Sequence, residues 1–182
     1  MRGSRSMARV TMAAGVLLAV TACHHRGGGH HEADIAKTTE DAKTTINAIS
    51  AAYNAHDAAK AASYDAPDYV SMFHGFTTAV GPAADAASMT EQFKDPAAKF
   101  DLTINAVDVA RSGEMAVVRS TYVYHFTDPK TKGAATETGN WVAGLKRQPD
   151  GSLKLAWSIG ADVPKAPAAP AAPTAPAAAA TP

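Results

Sequence analysis

Cysteine is almost absent from this chain, since Cys23 is the only one among its 182 residues. A single thiol excludes an intramolecular disulfide. Aromatic residues make up only 7% of the chain, and neither charge sign dominates, with 17 basic and 17 acidic residues. Long hydrophobic runs are also missing. The longest, Val10 to Val20, is interrupted by Thr11, and as a helix it reaches only about 16 Å, too short for a ~30 Å hydrocarbon core.

The charges are distributed unevenly along the chain. All 17 acidic residues follow Cys23, whereas three of the 17 basic residues precede it, so the part after Cys23 has a net charge of −3. A mildly acidic surface gives no electrostatic footprint for nucleic acid. The sequence also has no polybasic cluster of the kind that binds anionic lipid.

The first 22 residues have the pattern of a signal peptide. Arg2, Arg5 and Arg9 precede the short apolar run, and Met7 is an alternative start. The run has the length and flanks of a signal-peptide core. The sequence Leu17-Leu18-Ala19-Val20-Thr21-Ala22-Cys23 resembles the bacterial lipobox. We therefore expect residues 1–22 to be removed and Cys23 to carry lipid, which would anchor the protein to the membrane.

This resemblance also predicts a location. A lipidated Cys23 implies the bacterial cell envelope, facing the periplasm or the outside. In a Gram-negative organism the outer membrane is favoured, because His24 rather than aspartate follows the cysteine.

Residues 23–32 read as a flexible tether. They contain His24, His25, His30 and His31 around three glycines. Imidazoles bind divalent transition metals, so a weak metal site is one interpretation. A solvated spacer is the preferred one, because nothing fixes these side chains in a coordination geometry. No metal and no cofactor are expected.

Residues 164–182 form a second biased segment. Five prolines, from Pro164 to Pro176, recur at every third position with mostly alanine between them. Polyproline II has three residues per turn, which places these prolines along one edge of an extended rod. Such a segment cannot build a core, and we expect a disordered tail.

Residues 33–163 are long enough for one compact domain. Apolar and small residues from Ile35 to Tyr53 recur at spacings of three and four, which predicts an amphipathic helix. Asp57 is a suitable N-cap for a second helix over 58–64, which Pro67 would terminate before a strand over 69–74. A short strand between Gly75 and Gly81 and a third helix over 82–93, with Pro82 in its first turn, follow.

The rest of the domain reads as β-structure. Strands are predicted over 100–110, 114–127, 136–147 and 153–161, separated by turn sequences. Short connections favour antiparallel pairing. The expected fold is therefore α+β, with three helices packed on one face of a curled antiparallel sheet. In the last strand, Leu153, Leu155, Trp157 and Ile159 alternate with smaller or polar residues and should face the core.

The strand over 114–127 is apolar on both sides. One row runs from Ala116 to Phe126, and the other contains Met115, Val117 and Val123. A strand buried on two faces indicates that the outer face of the sheet is covered as well. We expect a homodimer that associates through this face.

Several short motifs follow one another in an order that resembles a known superfamily. They are Tyr53-Asn54-Ala55-His56-Asp57, Tyr64-Asp65-Ala66-Pro67-Asp68-Tyr69-Val70, Ser112-Gly113-Glu114-Met115-Ala116-Val117-Val118, Asp128-Pro129-Lys130-Thr131-Lys132-Gly133 and Asp150-Gly151-Ser152-Leu153-Lys154-Leu155. Together they resemble the SnoaL-like and ketosteroid-isomerase-like members of the nuclear-transport-factor-2-like superfamily. The resemblance implies a cone-shaped α+β barrel, often dimeric through its sheet, with a pocket between helices and sheet. It does not imply one activity.

The resemblance allows the isomerase mechanism to be checked by position. That chemistry uses a carboxylate base together with a tyrosine and a protonated aspartate as hydrogen-bond donors. The matching positions hold Ile49 for the tyrosine, Phe73 for the base and a residue near Ala143 for the aspartate. None of the three residue types is kept, so isomerase chemistry of that kind is not expected.

Two classes of function remain open. The preferred one is a binding or accessory role, in which a small hydrophobic ligand occupies a pocket lined by Tyr53, Tyr69, His74, Trp141 and Trp157. The alternative is an isomerase-, cyclase- or dehydratase-like enzyme in which His74 or His125 acts as general base on a small hydrophobic substrate.

Overall fold

The computed structural model describes residues 31–163, with side chains from Ile35 onward. Three helices and six strands lie in this part of the chain. In order they are α1 (His31–Asn54), α2 (Ala58–Ala62), β1 (Asp65–Phe73), β2 (Ala79–Val80), α3 (Pro82–Gln92), β3 (Lys99–Val109), β4 (Met115–Thr127), β5 (Ala134–Arg147) and β6 (Leu153–Asp162). The predicted elements are all present. The tail over 164–182 and the predicted signal peptide lie outside the described residues.

Local signals explain most helix boundaries. The carboxylate of Asp57 accepts a hydrogen bond from the backbone N–H of Lys60 at 2.9 Å, so it caps α2 as predicted. Pro82 stands in the first turn of α3. The predicted role of Pro67 is wrong, because α2 already ends at Ala62 and Pro67 lies within β1. The missing N–H of Pro67 is tolerated there, since the register of β1 against β6 shifts between Asp65 and Val70.

The six strands form one sheet in the order β2-β1-β6-β5-β4-β3. Neighbouring strands pair antiparallel except for β1 and β6, which run parallel. The α+β class with helices on one face is thus confirmed, but the sheet is mixed rather than wholly antiparallel, and it is not closed into a barrel. Four strands and one helix separate β1 from β6 along the chain, so no hairpin fixes their relative direction and the pair can be parallel.

A β-bulge in β6 reverses the faces of its second half. Leu145 pairs with Leu155, whereas the preceding Gly144 pairs with Trp157, so Ala156 is an extra residue. Leu153 and Leu155 face the core as predicted, but beyond the bulge Ser158 is buried while Ile159 is 45% exposed. The prediction that Trp157 and Ile159 face the core is therefore wrong, and both lie on the outer face.

The core lies between α1 and the inner face of the sheet. Ala42 and Ile46 of α1 are fully buried and pack in one cluster with Val118 of β4 and Leu145 of β5. The end of α1 is fixed by the side chain of Asn54, which donates to the carbonyl of Phe100 at 2.8 Å and accepts from its N–H at 2.9 Å. These contacts hold α1 across the sheet and leave a space beside it, under α3.

Within residues 31–163, no helix has the length and hydropathy that crossing a membrane requires.

Candidate functional site

A cavity of about 1030 Å³ lies between the three helices and the inner face of the sheet. Most of its wall is aromatic or aliphatic. The aromatic residues that line it are Tyr53, Tyr69, Phe73, Phe76, Phe100, Tyr122, Tyr124, Phe126 and Trp141. The rings contact one another, as in the pair Phe100 and Tyr124, whose centroids lie 4.7 Å apart. Mutual packing of this kind restricts the rings and keeps the wall in one shape.

Two glycines make room for these rings. Tyr122 pairs with Gly139 across β4 and β5, and a Cβ on Gly139 would lie 2.2 Å from Cζ of Tyr122. Phe73 pairs with Gly160 across β1 and β6, where a Cβ would lie 2.2 Å from Cδ1 of the ring. Both rings therefore lie flat against the neighbouring strand, a position that any side chain at these glycines would block.

The exposed lining residues mark the mouth of the cavity. They come from the β1–β2 turn, the end of α3 with the loop after it, and the β4–β5 hairpin, and are His74, Gly75, Phe76, Thr77, Glu91, Lys94, Pro96, Pro129 and Lys132. The hairpin is fixed to the loop after α3 by Asp95, which accepts hydrogen bonds from the N–H of Thr127 at 2.6 Å and from its hydroxyl at 2.8 Å. The mouth is thus formed by the β1–β2 turn, the β4–β5 hairpin, and the end of α3 with the loop that follows it.

A polar cluster stands beside the mouth. The phenol of Tyr122 donates a hydrogen bond to Oε1 of Glu137 at 3.0 Å. The other carboxylate oxygen of Glu137 lies 3.5 Å from Nε2 of His74. Desolvation raises the pKa of Tyr122, and the hydrogen bond and charge of Glu137 raise it further, so the phenol stays protonated and able to donate. Glu137 therefore connects a buried tyrosine to a half-exposed histidine.

A second polar group lies away from the mouth, where β1 begins. Asp65 is 3% exposed and Asp85 extends from the first turn of α3, and both line the cavity. Burial raises the pKa of Asp65 to about 8, and the negative charge of Asp85 adds to this effect. Burial also raises the pKa of Asp85 to about 6, against the effect of a hydrogen bond from Ser71. Near neutral pH the two carboxyl groups therefore hold about one proton between them.

Two further buried polar atoms near the cavity lack a hydrogen-bond partner among residues 35–163. Within the described part of the chain, the indole Nε1 of the buried Trp141 makes no hydrogen bond. Ser120, directly across the ladder from Trp141, likewise has a buried hydroxyl without a partner among the described residues. Buried polar groups are normally satisfied, so these two atoms are exceptions among the described residues.

Four of the predicted pocket residues line this cavity, namely Tyr53, Tyr69, His74 and Trp141. Trp157 does not, because the bulge places its indole on the outer face over Gly144. His125 is also on the outer face, where its Nε2 lies 2.8 Å from a carboxylate oxygen of Asp101 on β3. His125 therefore cannot act on a molecule in the cavity. His74 is the candidate base that the structure brings to it.

Sequence reasoning missed Asp65, Asp85, Tyr122 and Glu137 as site residues. Asp65 was visible only as part of a motif before the first strand, and α3 gave no signal that Asp85 would face inward. In a strand, successive side chains point to opposite faces of the sheet. This alternation places Tyr122 and Glu137 on the inner face, and it is the one sequence signal that could have identified them as site residues.

Among residues 35–163, no group of three or more histidine, cysteine or carboxylate side chains is arranged to bind a metal ion. The predicted weak metal ligands His24, His25 and His30, and the side chain of His31, lie outside the described part.

Known structures share this architecture. A ketosteroid isomerase-like protein from Erwinia carotovora atroseptica SCRI1043 is 21% identical, covering 76% of this chain and 100% of its own, with a TM-score of 0.61. A nuclear transport factor 2 superfamily protein from Salmonella enterica serovar Typhimurium LT2 is 12% identical, over 73% and 96%, with a TM-score of 0.58. ActVI-ORFA from Streptomyces coelicolor is 15% identical, over 68% and 95%, with a TM-score of 0.55. At such identities the likeness establishes the fold alone.

Helices on one face of a curled six-stranded sheet, with a cavity between them, define the nuclear-transport-factor-2-like class of cone folds. The chain belongs to the SnoaL-like domain family, whose sequence pattern matches residues 46–152, more than half of its length. No protein with a curated description matches the sequence significantly. The superfamily prediction is thereby confirmed.

Proposed function

We propose that this protein binds a small hydrophobic ligand in the cavity. The observation that carries the proposal is the cavity itself, about 1030 Å³ in volume with a largely apolar wall that includes nine aromatic residues. Ligand sites in proteins are typically about 300–1,000 Å³, mostly apolar, with a few placed polar groups. The carboxyl groups of Asp65, Asp85 and Glu137 in the lining are such groups.

Filling the cavity from α3 tests this proposal. Ser88 lines the cavity, whereas its neighbour Ala87 is exposed on the same helix. Naphthylmethanol, a neutral fluorescent probe, should bind the unchanged protein, and Ser88→Trp should weaken its binding at least about tenfold because the indole occupies the cavity. Ala87→Trp adds the same ring outside the cavity and should leave binding unchanged. Equal binding by all three proteins would contradict the proposal.

An enzymatic role is the second candidate, and the contact between His74 and Glu137 favours it. The carboxylate at 3.5 Å can orient the imidazole, and Tyr122 offers a protonated phenol on the same glutamate. In this reaction His74 would remove a proton from a carbon beside a carbonyl group, and the single O–H of Tyr122 would turn from Glu137 to donate a hydrogen bond to the enolate oxygen. The side chain of His74 is 44% exposed, so it can exchange the proton with solvent.

This candidate predicts exchange of deuterium from solvent into an enolisable aromatic ketone, measured by mass spectrometry. His74→Ala should abolish the exchange while the naphthylmethanol affinity is kept. His125→Ala on the outer face is the matched control and should retain it. Without exchange above the buffer rate in the unchanged protein, the enzymatic candidate fails and binding remains.

The location proposed for this activity is the bacterial cell envelope. The support comes from the sequence, namely the basic and apolar pattern before Cys23 and the lipobox-like residues that end on it. A diacylated cysteine carries enough buried methylene groups for stable anchoring. In a Gram-negative organism we place the domain at the outer membrane, facing the periplasm.

We further propose that two copies associate through the outer face of the sheet. This face carries Trp157 and the exposed Ile159 on β6, and Met72, 36% exposed, on β1. The three helices cover the opposite face, so these side chains have no cover within the described part of the chain. Contiguous apolar side chains of this kind are typical of interaction surfaces.

A further inference from the structure

The arrangement of carboxyl groups in the cavity narrows the class of ligand. Asp65 begins β1, and its Oδ2 is buried without a hydrogen-bond partner among the described residues. Asp85 reaches the same cavity from α3, and Ser71 of β1 also lines the cavity. An aspartate that is 3% exposed, with an unpartnered oxygen, in the wall of an apolar cavity is costly for the folded protein. A ligand that supplies the missing hydrogen-bond partner would offset this free-energy cost.

No cation of the described part satisfies these carboxyl groups. The nearest positive influence on Asp65 is Lys154 of β6, which lowers the pKa of Asp65 only against larger opposing effects. Its ammonium group donates instead to the backbone carbonyls of Ser63 at 3.1 Å and Asp65 at 3.4 Å. The hydroxyl of Tyr69 is engaged with Ser158 at 2.7 Å. Asp65 and Asp85 therefore line the cavity without an ion pair to any cation of the described residues.

The surrounding wall suits a cation that is attached to an apolar body. Tyr69 and Phe73 line the cavity along β1, the strand that also carries Asp65. Aromatic faces attract ammonium groups, and a desolvated carboxylate binds them by charge-assisted hydrogen bonds. A primary ammonium has three donors and no acceptor, so it can satisfy both carboxyl groups without leaving a polar atom of its own unpaired.

We propose that the ligand of this cavity is a hydrophobic primary amine whose ammonium group lies between Asp65 and Asp85. This inference rests on the proposed binding function and names the chemistry of its ligand. A neutral ligand that only accepts hydrogen bonds is the competing occupant. It would accept the proton of Asp65 and give Asp85 no positive charge to pair with.

Binding of an amine is coupled to the loss of a proton. In the empty cavity Asp65 is protonated at neutral pH, since burial raises its pKa to about 8. The charges that act on it are those of Asp85 on α3 and Lys154 on β6, and a bound ammonium adds a positive one that lowers this pKa. The proton leaves Asp65 for the buffer. Affinity should therefore rise with pH up to about 8 and fall when the amine itself loses its charge.

A pair of matched probes tests the proposal on the full-length protein. Naphthylmethylamine and naphthylmethanol have the same ring and differ in the group that would meet the carboxyls. At neutral pH the amine should bind at least about tenfold more tightly than the alcohol. Calorimetry in two buffers of different ionisation enthalpy should show that amine binding releases a proton, whereas alcohol binding does not.

Variants of the carboxyl groups complete the test. Asp65→Asn and Asp85→Asn should each remove the preference for the amine, so that the variant binds both probes equally, and measurable alcohol binding by the variant shows that the cavity is intact. Asp68→Asn, at an exposed position of the same strand, is the control and should change neither. Equal binding of amine and alcohol overturns the inference but keeps the binding function. Binding of neither probe overturns both.

Discussion

The ring of Tyr122 lies against the Cα of Gly139 on the neighbouring strand, and this contact positions the phenol for its hydrogen bond to Glu137. A methyl group at Gly139 would lie 2.2 Å from Cζ of the ring and 2.5 Å from the backbone oxygen of Ala161. To avoid this methyl group, the ring of Tyr122 would have to move into the cavity. The backbone of β6 is held in the sheet and would not shift easily. The shape of the site therefore depends on a residue without a side chain.

Gly139→Ala should accordingly destabilise the protein and reduce the cavity. We expect a loss of about 2 kcal/mol in the free energy of unfolding, measured by denaturant titration, because the added methyl overpacks a close contact. Binding of naphthylmethanol should weaken as well. Gly133→Ala in the β4–β5 hairpin is the control, since its nearest neighbour would be 3.6 Å away at an ordinary distance. Equal stability of the two variants would contradict the assigned contact.

The stability of the protein should fall as the pH rises towards 8. Burial raises the pKa of Asp65 from 3.8 to about 8, so the folded state holds a proton that the unfolded state releases. The contribution of this group is complete below the unfolded pKa and is lost as the pH rises through the folded pKa. Between about pH 5 and pH 8 the loss should be on the order of 3 kcal/mol.

Asp65→Asn should remove most of this pH dependence, leaving a smaller slope from Asp85. The variant should be more stable than the unchanged protein at about pH 8 and close to it near pH 4, as measured by thermal unfolding across the range. Asp68→Asn should keep the original slope. A slope of the opposite sign would mean that Asp65 is ionised in the folded protein.

Association through the outer face can be tested at Ile159. Ile159→Lys places a charge in the middle of the proposed interface, where desolvating it is costly. Size-exclusion chromatography with light scattering should show a dimer for the unchanged protein and a monomer for the variant. Ala59→Lys adds the same charge at an exposed position of α2 and should remain dimeric. A monomeric elution of the unchanged protein at micromolar concentration would refute the interface.

Lipid attachment is tested at Cys23. Mass spectrometry of the protein extracted from membranes should show acyl groups on this residue. Cys23→Ser should leave a soluble or uncleaved protein without acyl mass, because the thiol is the attachment point. Membrane-bound, acylated protein after this substitution would show that another residue carries the lipid.

The sequence predicted the positions of the helices and strands better than it predicted which side chains face the core. Helical spacing, the Asp57 cap and the turn sequences placed all three helices and six strands, because these signals act between residues that are near one another in the chain. Trp157 was assigned to the wrong face because alternation in β6 is interrupted at Ala156. A bulge depends on the partner strand β5, whose register the sequence of β6 does not contain.

The site shows the same division. Tyr53, Tyr69, His74 and Trp141 were predicted to line a pocket, and the pocket itself was implied by the family resemblance. Asp65 and Asp85 lie 20 positions apart on different elements, and only the packing of α3 on β1 brings them to one cavity. Their shifted pKa values also depend on that packing, because desolvation is a property of the folded surroundings and not of the aspartates.

The sequence alone determined the class of fold, the family pattern and the expectation of a lipid on Cys23, since each rests on local order along the chain. The tertiary structure decided the parallel pairing of β1 with β6, the outward position of Trp157 and His125, and the acidic pair in the cavity. These features arise from contacts between distant segments, and their energies come from burial and register that no single segment contains.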